Sequence, residues 1–296
     1  MEIRNLKTFQ QVAEKSSFTA AANHLGYSQS TVSFQIRQLE EELNCQLFER
    51  VNHRIFLTEQ GRELLDYAHK VLQLTEEFKQ NMESSDRPEG IVHVVTPDSV
   101  CKSMMMANYG DFYRRYPAIS LKFSTADTGD MFRMLDRNEA DAILTLDSHV
   151  YGGEYVIAKE ERVPMHFVAG TGSPYAKRKG ISIEELVLEP FILTEKGMGY
   201  RRVLDKALAK KSLEVHPILE LGRTDIITAV LEQGIGLSFL PDFVTQEGIA
   251  AGTLCYLDVT DVEAEVWKQL IYHRSKWLSR SLHAFIEYVK KAEFRD

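Results

Sequence analysis

The sequence predicts an α+β multidomain chain: an N-terminal winged helix-turn-helix, a long linker helix, and a C-terminal region of two α/β units. Three observations carry this expectation. Residues 1–58 hold three stretches of helical periodicity followed by two strand-like runs. Residues 59–84 hold one unbroken helical stretch. Beyond residue 90, strand-like runs alternate with helical ones. The length of 296 residues suits two or three cores of ordinary size. With 44% hydrophobic and 26% charged residues, the composition is that of a globular protein and excludes a disordered chain. No apolar run approaches the ~18 residues of a membrane helix, so no membrane partner is expected. Residues 1–20 lack the apolar stretch of a secretion signal, and a cytoplasmic location is the expectation.

Asn5 is placed to cap a first helix in which Leu6, Phe9, Val12 and Ala13 form one stripe. Ser16 and Ser17 interrupt it. A second helix spans 18–25, with Ala20, Ala21 and Ala22 allowing close approach of a neighbour, and Gly26 ends it. Ser28 caps a third helix to about residue 43. Val32, Ile36, Leu39 and Leu43 share its inner face. Ser30, Phe34, Arg37 and Glu41 lie opposite, with Ser33 at the edge and Gln29 in the first turn. A short helix, a glycine turn and a longer helix with a polar outer face form a helix-turn-helix, which sets its second helix in the major groove. Gln, Ser and Arg can read base edges there. The runs 47–50 and 54–57 flank Val51-Asn52-His53 and read as a wing, with Arg50 and Arg54 near the phosphates. Charge lends no support: residues 1–60 hold six basic and seven acidic side chains, and the whole chain carries −8, so any basic patch is local. A three-helix bundle without a DNA role would show the same periodicity.

Leu6-Lys7-Thr8-Phe9, Ser17-Phe18-Thr19-Ala20-Ala21-Ala22, Ser28-Gln29-Ser30-Thr31-Val32-Ser33, Gln35-Ile36-Arg37-Gln38-Leu39-Glu40, Leu47-Phe48-Glu49-Arg50 and Leu57-Thr58-Glu59-Gln60-Gly61 follow in order without gaps. Together they resemble the N-terminal signature of LysR-type transcriptional regulators. The resemblance implies a winged helix-turn-helix, a dimerisation helix and an effector-binding C-terminal domain. Carried over residue by residue, it makes Gln29, Ser30, Ser33 and Arg37 base-facing, and Arg50 and Arg54 backbone-facing. Two positions depart from the usual pattern. Ser30 stands where members commonly carry proline, and Phe34 where they carry arginine. The second change removes a cation and leaves a ring that either meets a thymine methyl or packs on its own domain.

Thr58 is placed to cap the linker helix. Leu64, Ala68, Val71, Thr75, Phe78 and Met82 step by four and three, the a/d seam of a coiled coil. Leu65 and Leu72 form a second stripe, expected against the DNA-binding domain. A seam this short also fits a plain core face. Residues 84–90, polar and with Pro88 and Gly90, read as a hinge. With the resemblance, the expected partners are double-stranded promoter DNA with paired half-sites, a small-molecule effector, and the chain itself. Self-association would give a dimer, and a tetramer as a dimer of dimers; RNA polymerase is a further candidate partner. The domain expectation is 1–58, 59–89 and 90–296.

In the last of these, strands are expected at 91–96, 119–125 and 142–144, with helices at 99–116 and 130–137. A second unit begins near Val163 with a strand at 163–169. Ser182-Ile183-Glu184-Glu185 reads as a capping box. Strands at 191–193, 236–241 and 267–272 follow, with helices near 199–211, 223–233 and 279–292. The alternation argues for mostly parallel sheet. Glu139-Ala140-Asp141-Ala142-Ile143, Pro190-Phe191-Ile192, Gly197-Met198-Gly199-Tyr200-Arg201-Arg202 and Val230-Leu231-Glu232-Gln233-Gly234-Ile235-Gly236-Leu237-Ser238-Phe239-Leu240-Pro241 resemble the LysR-type effector domain. That implies two Rossmann-like subdomains around a cleft, like periplasmic binding proteins, with 91–162 and 268–296 in one lobe and 163–267 in the other.

Ligands in such folds bind where strands end and helices begin. Those junctions offer Ser99, Val100 and Cys101, then Asp127 and Thr128, then Thr194, Glu195, Tyr200 and Thr224. By the resemblance, Ser99 and Thr128 best match effector-binding hydroxyls, and Ala126 stands where glycine is common. Each Ser or Thr is equally well placed to cap a helix or form a turn. Helix N-termini favour a carboxylate, whereas Asp98, Asp127, Asp147 and Glu195 would repel one. An anion, a zwitterion and a neutral effector all stay open. Cys45, Cys101 and Cys255 lie far apart without metal-ligand spacing, so reduced thiols and no cofactor are expected. Cys101 permits a redox role, although no resolving partner is visible.

Two other classes compete: an enzyme, or a small-molecule-binding protein, with an accessory nucleic-acid-binding domain. Nucleophile-elbow, P-loop, dinucleotide and H-E-x-x-H motifs are absent, and His93, His166, His216 and His283 are scattered. The expectation is a non-enzymatic regulator in which effector closure of the cleft rotates the lobes and respaces the DNA-binding heads.

Overall fold

Glu2 precedes α1 (Ile3–Lys15) with extended backbone, so the cap expected at Asn5 is not there. Asn5 is buried inside the helix, and its Nδ2 donates to Gln38 Oε1 at 3.4 Å. The coordinates are a computed structural model in which residues 1–51, 54–83 and 87–294 are described. Ser16 ends α1 at φ 47°. Ser17 accepts from Ala20 N to cap α2 (Phe18–Leu25), and Gly26 ends it at φ 68°. Ser28 caps α3 (Gln29–Leu43), accepting from Thr31 N at 3.1 Å. Helical spacing puts Val32, Ile36 and Leu39 into one core with Leu6, Phe9, Val12, Ala21 and Leu47. Leu43 is exposed, because α3 ends at that residue. Strands β1 (Phe48–Val51) and β2 (Arg54–Leu57) pair antiparallel, with Phe48 opposite Leu57. The Phe48 ring meets Phe9 at 5.3 Å and Phe18 at 5.7 Å, which ties the hairpin to the core.

Thr58 Oγ1 accepts from Gly61 N at 3.0 Å at the start of α4 (Glu59–Glu83). Glycine is required at 61, because a Cβ there would collide with the Leu47 carbonyl. Ala68 is wholly buried in the core of this first unit, and Leu64, Leu65, Val71 and Leu72 pack against it. The chain divides into two units, Met1–Asp86 with Asp136–Glu139, and Arg87–Leu135 with Ala140–Asp296.

The second unit begins with β3 (Gly90–Val95), α5 (Asp98–Ala107), α6 (Tyr109–Arg115), β4 (Ile119–Ser124), α7 (Thr128–Asp136), β5 (Ala142–Asp147) and β6 (Tyr155–Val163). After Pro164 come β7 (Met165–Gly170), α8 (Ile183–Leu186), β8 (Phe191–Leu193), α9 (Gly199–Ala209), β9 (Pro217–Glu220), α10 (Thr224–Glu232), β10 (Leu237–Pro241), α11 (Asp242–Ala251) and β11 (Leu254–Leu257). The chain then returns as β12 (Val266–His273) and closes with α12 (Arg280–Ala292).

These strands form two sheets of one design. The first runs β4-β3-β5-β12-β6, the second β9-β8-β10-β7-β11. In each, the first two pairings are parallel and the last two antiparallel. The sheets are therefore mixed, not mostly parallel. The long return strand β12 lies inside the first sheet, antiparallel to both neighbours. Buried side chains from both sheets and from α12 make up the core.

Four local expectations are corrected. The helix expected over 99–116 is broken at Asn108, whose backbone leaves the helical region and whose Nδ2 donates to Ala292 O at 3.2 Å and Glu293 Oε1 at 2.5 Å. The capping box at Ser182 does not form: Ser182 Oγ accepts from Glu184 N, while Glu185 pairs with Arg178 at 2.7 Å. The strand expected over 163–169 straddles two sheets, because Pro164 separates β6 from β7. Strands β6, β9 and β11 had no sequence counterpart; all three are sheet edges.

Candidate ligand cleft and nucleic-acid interface

A cavity of about 280 Å³ lies between the lobes, where β3, β4, β8 and β9 end and helices begin. Residues 97–99, 125–126 and Thr128 line it from the first lobe, with Met131 and Leu146 behind them. Residues 194–195, 198–200 and 222–224 line it from the second. Three helices point uncapped N-termini at this wall. Pro97 precedes α5, Met198 precedes α9 and Arg223 precedes α10, and none supplies a side-chain cap. The free N–H groups and dipole of α9 favour negative charge in the cavity, whereas Asp98 already stands in the first turn of α5, and Asp225 in that of α10, where it accepts from Ile226 N at 3.0 Å.

Ser99, Thr194 and Tyr200 are each at least nine-tenths buried in this wall. Their hydroxyls have no hydrogen-bond partner among the described residues. Burying a hydroxyl without a partner is costly, so such groups mark a place where a ligand or water completes the bonding. The Thr194 and Tyr200 hydroxyls are neighbours without the geometry of a hydrogen bond. Burial pushes the Tyr200 phenol well above its ordinary range, Thr194 partly offsetting and Asp98 adding to the shift. Tyr200 is therefore a neutral O–H donor at physiological pH.

Thr128 differs: its Oγ1 donates to Asp147 Oδ2 at 2.6 Å. Arg202 of α9 donates to the same oxygen at 2.6 Å, and the Asp147 carboxylate is almost fully buried. Asp147 thus ties a cavity hydroxyl of one lobe to an arginine of the other, rather than repelling a ligand at the mouth. Beside this link, Gly199 lies so close to the Leu146 carbonyl that a Cβ would collide with it. Arg201, buried behind the wall, donates to Thr194 O at 3.0 Å and pairs with Asp205 and Glu220.

Two carboxylates, Asp98 and Glu195, also line the cavity. The cation in the wall, Arg223, is held by Asp225 in a two-pronged pair at 2.9 and 2.6 Å, with Lys102 at 3.9 Å from the same carboxylate. The Arg223 bond, with help from Lys102, holds the Asp225 carboxyl down to about 2.

Of the residues expected here, Ser99, Thr128, Thr194, Glu195, Tyr200 and Thr224 meet in one wall. Val100 and Cys101 do not, because each helical residue turns ~100° from the last. Val100 points into the core instead. Cys101 is half-buried; burial, with Asp98 adding, pushes its thiol up, which disfavours a reactive thiolate. Asp127 faces its own helix, its Oδ1 accepting from Asp130 N at 2.8 Å. Sequence reading missed Pro97, Thr125, Met131, Leu146, Met198, Gly199 and Gly222 as wall residues, and took Arg223 only for a helix start. The wall holds no histidine or cysteine among the described residues. No group of His, Cys, Asp and Glu among them could hold a metal ion, and no helix among them is long and apolar enough to cross a membrane.

In the first unit, Gln29, Ser30, Phe34 and Arg37 are exposed on α3, with Ser33 at the edge of that face. Gln29 Nε2 donates to Ser33 Oγ at 3.2 Å, and the Ser28 and Ser30 hydroxyls bond at 2.8 Å. Phe34 is 59% exposed, so it does not pack on its own domain. The side chains of Arg50, Arg54 and Met82, together with Asn52, His53 and residues 84–86, lie outside the described residues. The seam expected on α4 needs correction. Ala68 is consumed by the chain's own core, and Leu64 and Val71 are half-buried against it, because this part of α4 packs along α1. Phe78 is 65% exposed, and Tyr67 and Leu74 join it as exposed apolar side chains.

Family models match two parts of the chain: the bacterial regulatory helix-turn-helix protein, lysR family, over residues 3–62, and the LysR substrate binding domain over residues 85–293. Among curated proteins, the HTH-type transcriptional regulator YwqM of Bacillus subtilis (strain 168), itself uncharacterized, is 29% identical over 98% of this chain and 99% of its own length. The RuBisCO operon transcriptional regulator of Allochromatium vinosum is 28% identical over 98% of this chain and 95% of its own. Among solved structures, a cysteine variant of full-length OxyR from Pseudomonas aeruginosa superposes with a TM-score of 0.74 at 19% identity, covering 99% of this chain and 95% of that one. CrgA of Neisseria meningitidis gives 0.54 at 21% identity, covering 98% of each chain. The chain belongs to the LysR family of DNA-binding transcriptional regulators, with an N-terminal helix-turn-helix and a C-terminal effector-binding domain.

Proposed function

We propose that this regulator reads paired promoter half-sites with α3 and responds to a small-molecule effector held in the inter-lobe cavity. The observation that carries the effector half is the set of three buried hydroxyls without partners, gathered where strands of both lobes end. Gln29, Ser30, Ser33, Phe34 and Arg37 are the base-facing set, with Arg50 and Arg54 on the phosphates. A ligand touching Ser99 and Thr128 on one side and Thr194 and Tyr200 on the other favours the lobe arrangement in which all four reach it. Thr128 passes that preference to the Asp147–Arg202 link. Two heads are held together through α4, but by the exposed Tyr67, Leu74 and Phe78 with half-buried Val71 between them, whose steps of four, three and four keep the heptad spacing. Higher assembly to a dimer of dimers, work in the cytoplasm without catalysis, and contact with RNA polymerase complete the proposal.

Gel-shift titration of Arg37→Ala tests the reading head. Specific promoter affinity is expected to fall by about 1–3 kcal/mol while random-DNA binding barely changes. Equal loss on both DNAs would remove Arg37 from base reading. Arg50→Ala, the matched control, is expected to weaken both DNAs alike and to lower the salt slope by about one.

A further inference from the structure

We infer that the effector is a small zwitterion, an amino carboxylate whose anionic end takes the uncapped helix N-termini and buried hydroxyls and whose cationic end takes Asp98 and Glu195. This rests on the cavity being the effector site. The anionic requirement comes from two independent features of one wall. The N-termini of α5, α9 and α10 all open on it without a capping side chain from the residue before the helix, and that of α9 carries no acid in its first turn either. Ser99, Thr194 and Tyr200 add buried O–H groups that no acceptor among the described residues uses. A purely cationic ligand would leave these donors without an acceptor, and any ligand without negative charge would leave the α9 dipole end uncompensated.

A simple anion fits the other half of the wall badly. Asp98 and Glu195 line the same cavity. Glu195 reaches over Gly222, whose missing side chain leaves room there: a Cβ would stand 3.6 Å from Glu195 Oε1. Arg223, the cation that would ordinarily neutralise such a ligand, is already bound in two-pronged fashion by Asp225. Asp147 is likewise cancelled by Arg202 and takes no part. Asp98 feels Arg223 only as its lesser partner, after Asp225, and Glu195 makes no ion pair among the described residues, so an ammonium answers the negative charge that remains. Size narrows the class further. About 280 Å³ stands at the lower end of small-molecule sites, which suits a ligand the size of an amino acid. Met131, Leu146, Met198, Pro97 and Ala126 offer a short aliphatic side chain an apolar seat.

The test is a thermal-shift screen of the full-length chain against the protein amino acids and norvaline. Calorimetry on the tightest binder then runs beside its deamino acid, its decarboxylated amine and a polyol of equal length. The amino acid is expected to bind, and each half-molecule to bind weaker by about tenfold or more. Asp98→Asn with Glu195→Gln is expected to erase the preference for the amino acid over its deamino analogue without weakening the analogue. A screen in which no amino acid shifts the melting curve overturns the inference. So does a deamino acid, amine or polyol that binds as tightly as the amino acid. If such a probe loses affinity in Tyr200→Phe and Ser99→Ala, the cleft survives as the effector site and only the zwitterion falls. If an amino acid binds and those two variants leave its affinity unchanged, the cleft reading falls and takes the inference with it.

Discussion

The exposed face of α3, proposed to read DNA, and the wall of the inter-lobe cavity are both polar, but they are polar in opposite ways. On α3 the polar groups stand in water and bond to one another: Ser28 with Ser30, Gln29 with Ser33. The apolar face beneath them bears the stability of the head. In the cavity, Ser99, Thr194 and Tyr200 are buried and unpartnered. The head can change its reading residues without disturbing its fold, whereas the cavity is built at some expense to the domain that carries it.

That contrast is open to attack, starting where the expected effect is largest. Gly61 and Gly199 both press against a carbonyl, one in each region. Gly199→Ala is expected to destabilise the effector domain by about 3 kcal/mol in denaturant melts, because two backbones must separate at the Leu146 contact. An unchanged midpoint would mean that the lobes are not seated on each other there. In the linker, Ala68→Leu is expected to cost about 2 kcal/mol through overpacking of the head's core. Phe78→Ala is expected to leave melting of the head unchanged but to raise the dimer dissociation constant in sedimentation. The reverse pattern would restore Ala68 to the dimer seam. Tyr200→Phe should stabilise the ligand-free protein by about 1 kcal/mol, since a buried unsatisfied hydroxyl is removed, whereas Arg37→Ala on the exposed face stays within about 0.5 kcal/mol of wild type. A Tyr200→Phe variant that melts earlier would show that the hydroxyl is bonded after all. The smallest effect concerns Cys101. Because its thiol titrates above the ordinary range, iodoacetamide should modify it more slowly than a free thiol at about pH 8, gaining rate only as pH rises further. Faster modification near pH 7 would mark an activated thiol.

The two regions also differed in how far the chain announced them. The head is contiguous: caps at Ser17 and Ser28, the stop at Gly26 and the stripe Val32, Ile36, Leu39 lie within a few turns of one another, and local chemistry fixes each. Asn5 failed as a cap because a buried bond to Gln38, far along the chain, outweighs local preference. The cavity is assembled from five separate segments. The strand-to-helix rule found a residue on each except β5, but it could not tell Ser99 from Val100, which depends on how α5 is rotated against the sheet. Edge strands β6, β9 and β11 were missed for different reasons: β9 and β11 are apolar runs of only three or four residues, too short to tell from a loop, whereas β6 has a single neighbour and needs no unbroken apolar run. In β6 the sequence Lys159-Glu160-Glu161-Arg162 hides the strand altogether. On α4 the heptad spacing was readable, but which of two neighbouring stripes faces the chain's own head is a packing result.

The placement of β12 sets a timetable for biosynthesis. All five strands of the second sheet have been made by Leu257, as one uninterrupted stretch from Met165. The first sheet cannot close until β12 slides between β5 and β6, although its opening strand was made far earlier. On the ribosome the second lobe is therefore free to mature while the first still waits, with the facing flanks of β5 and β6 unzipped, for β12.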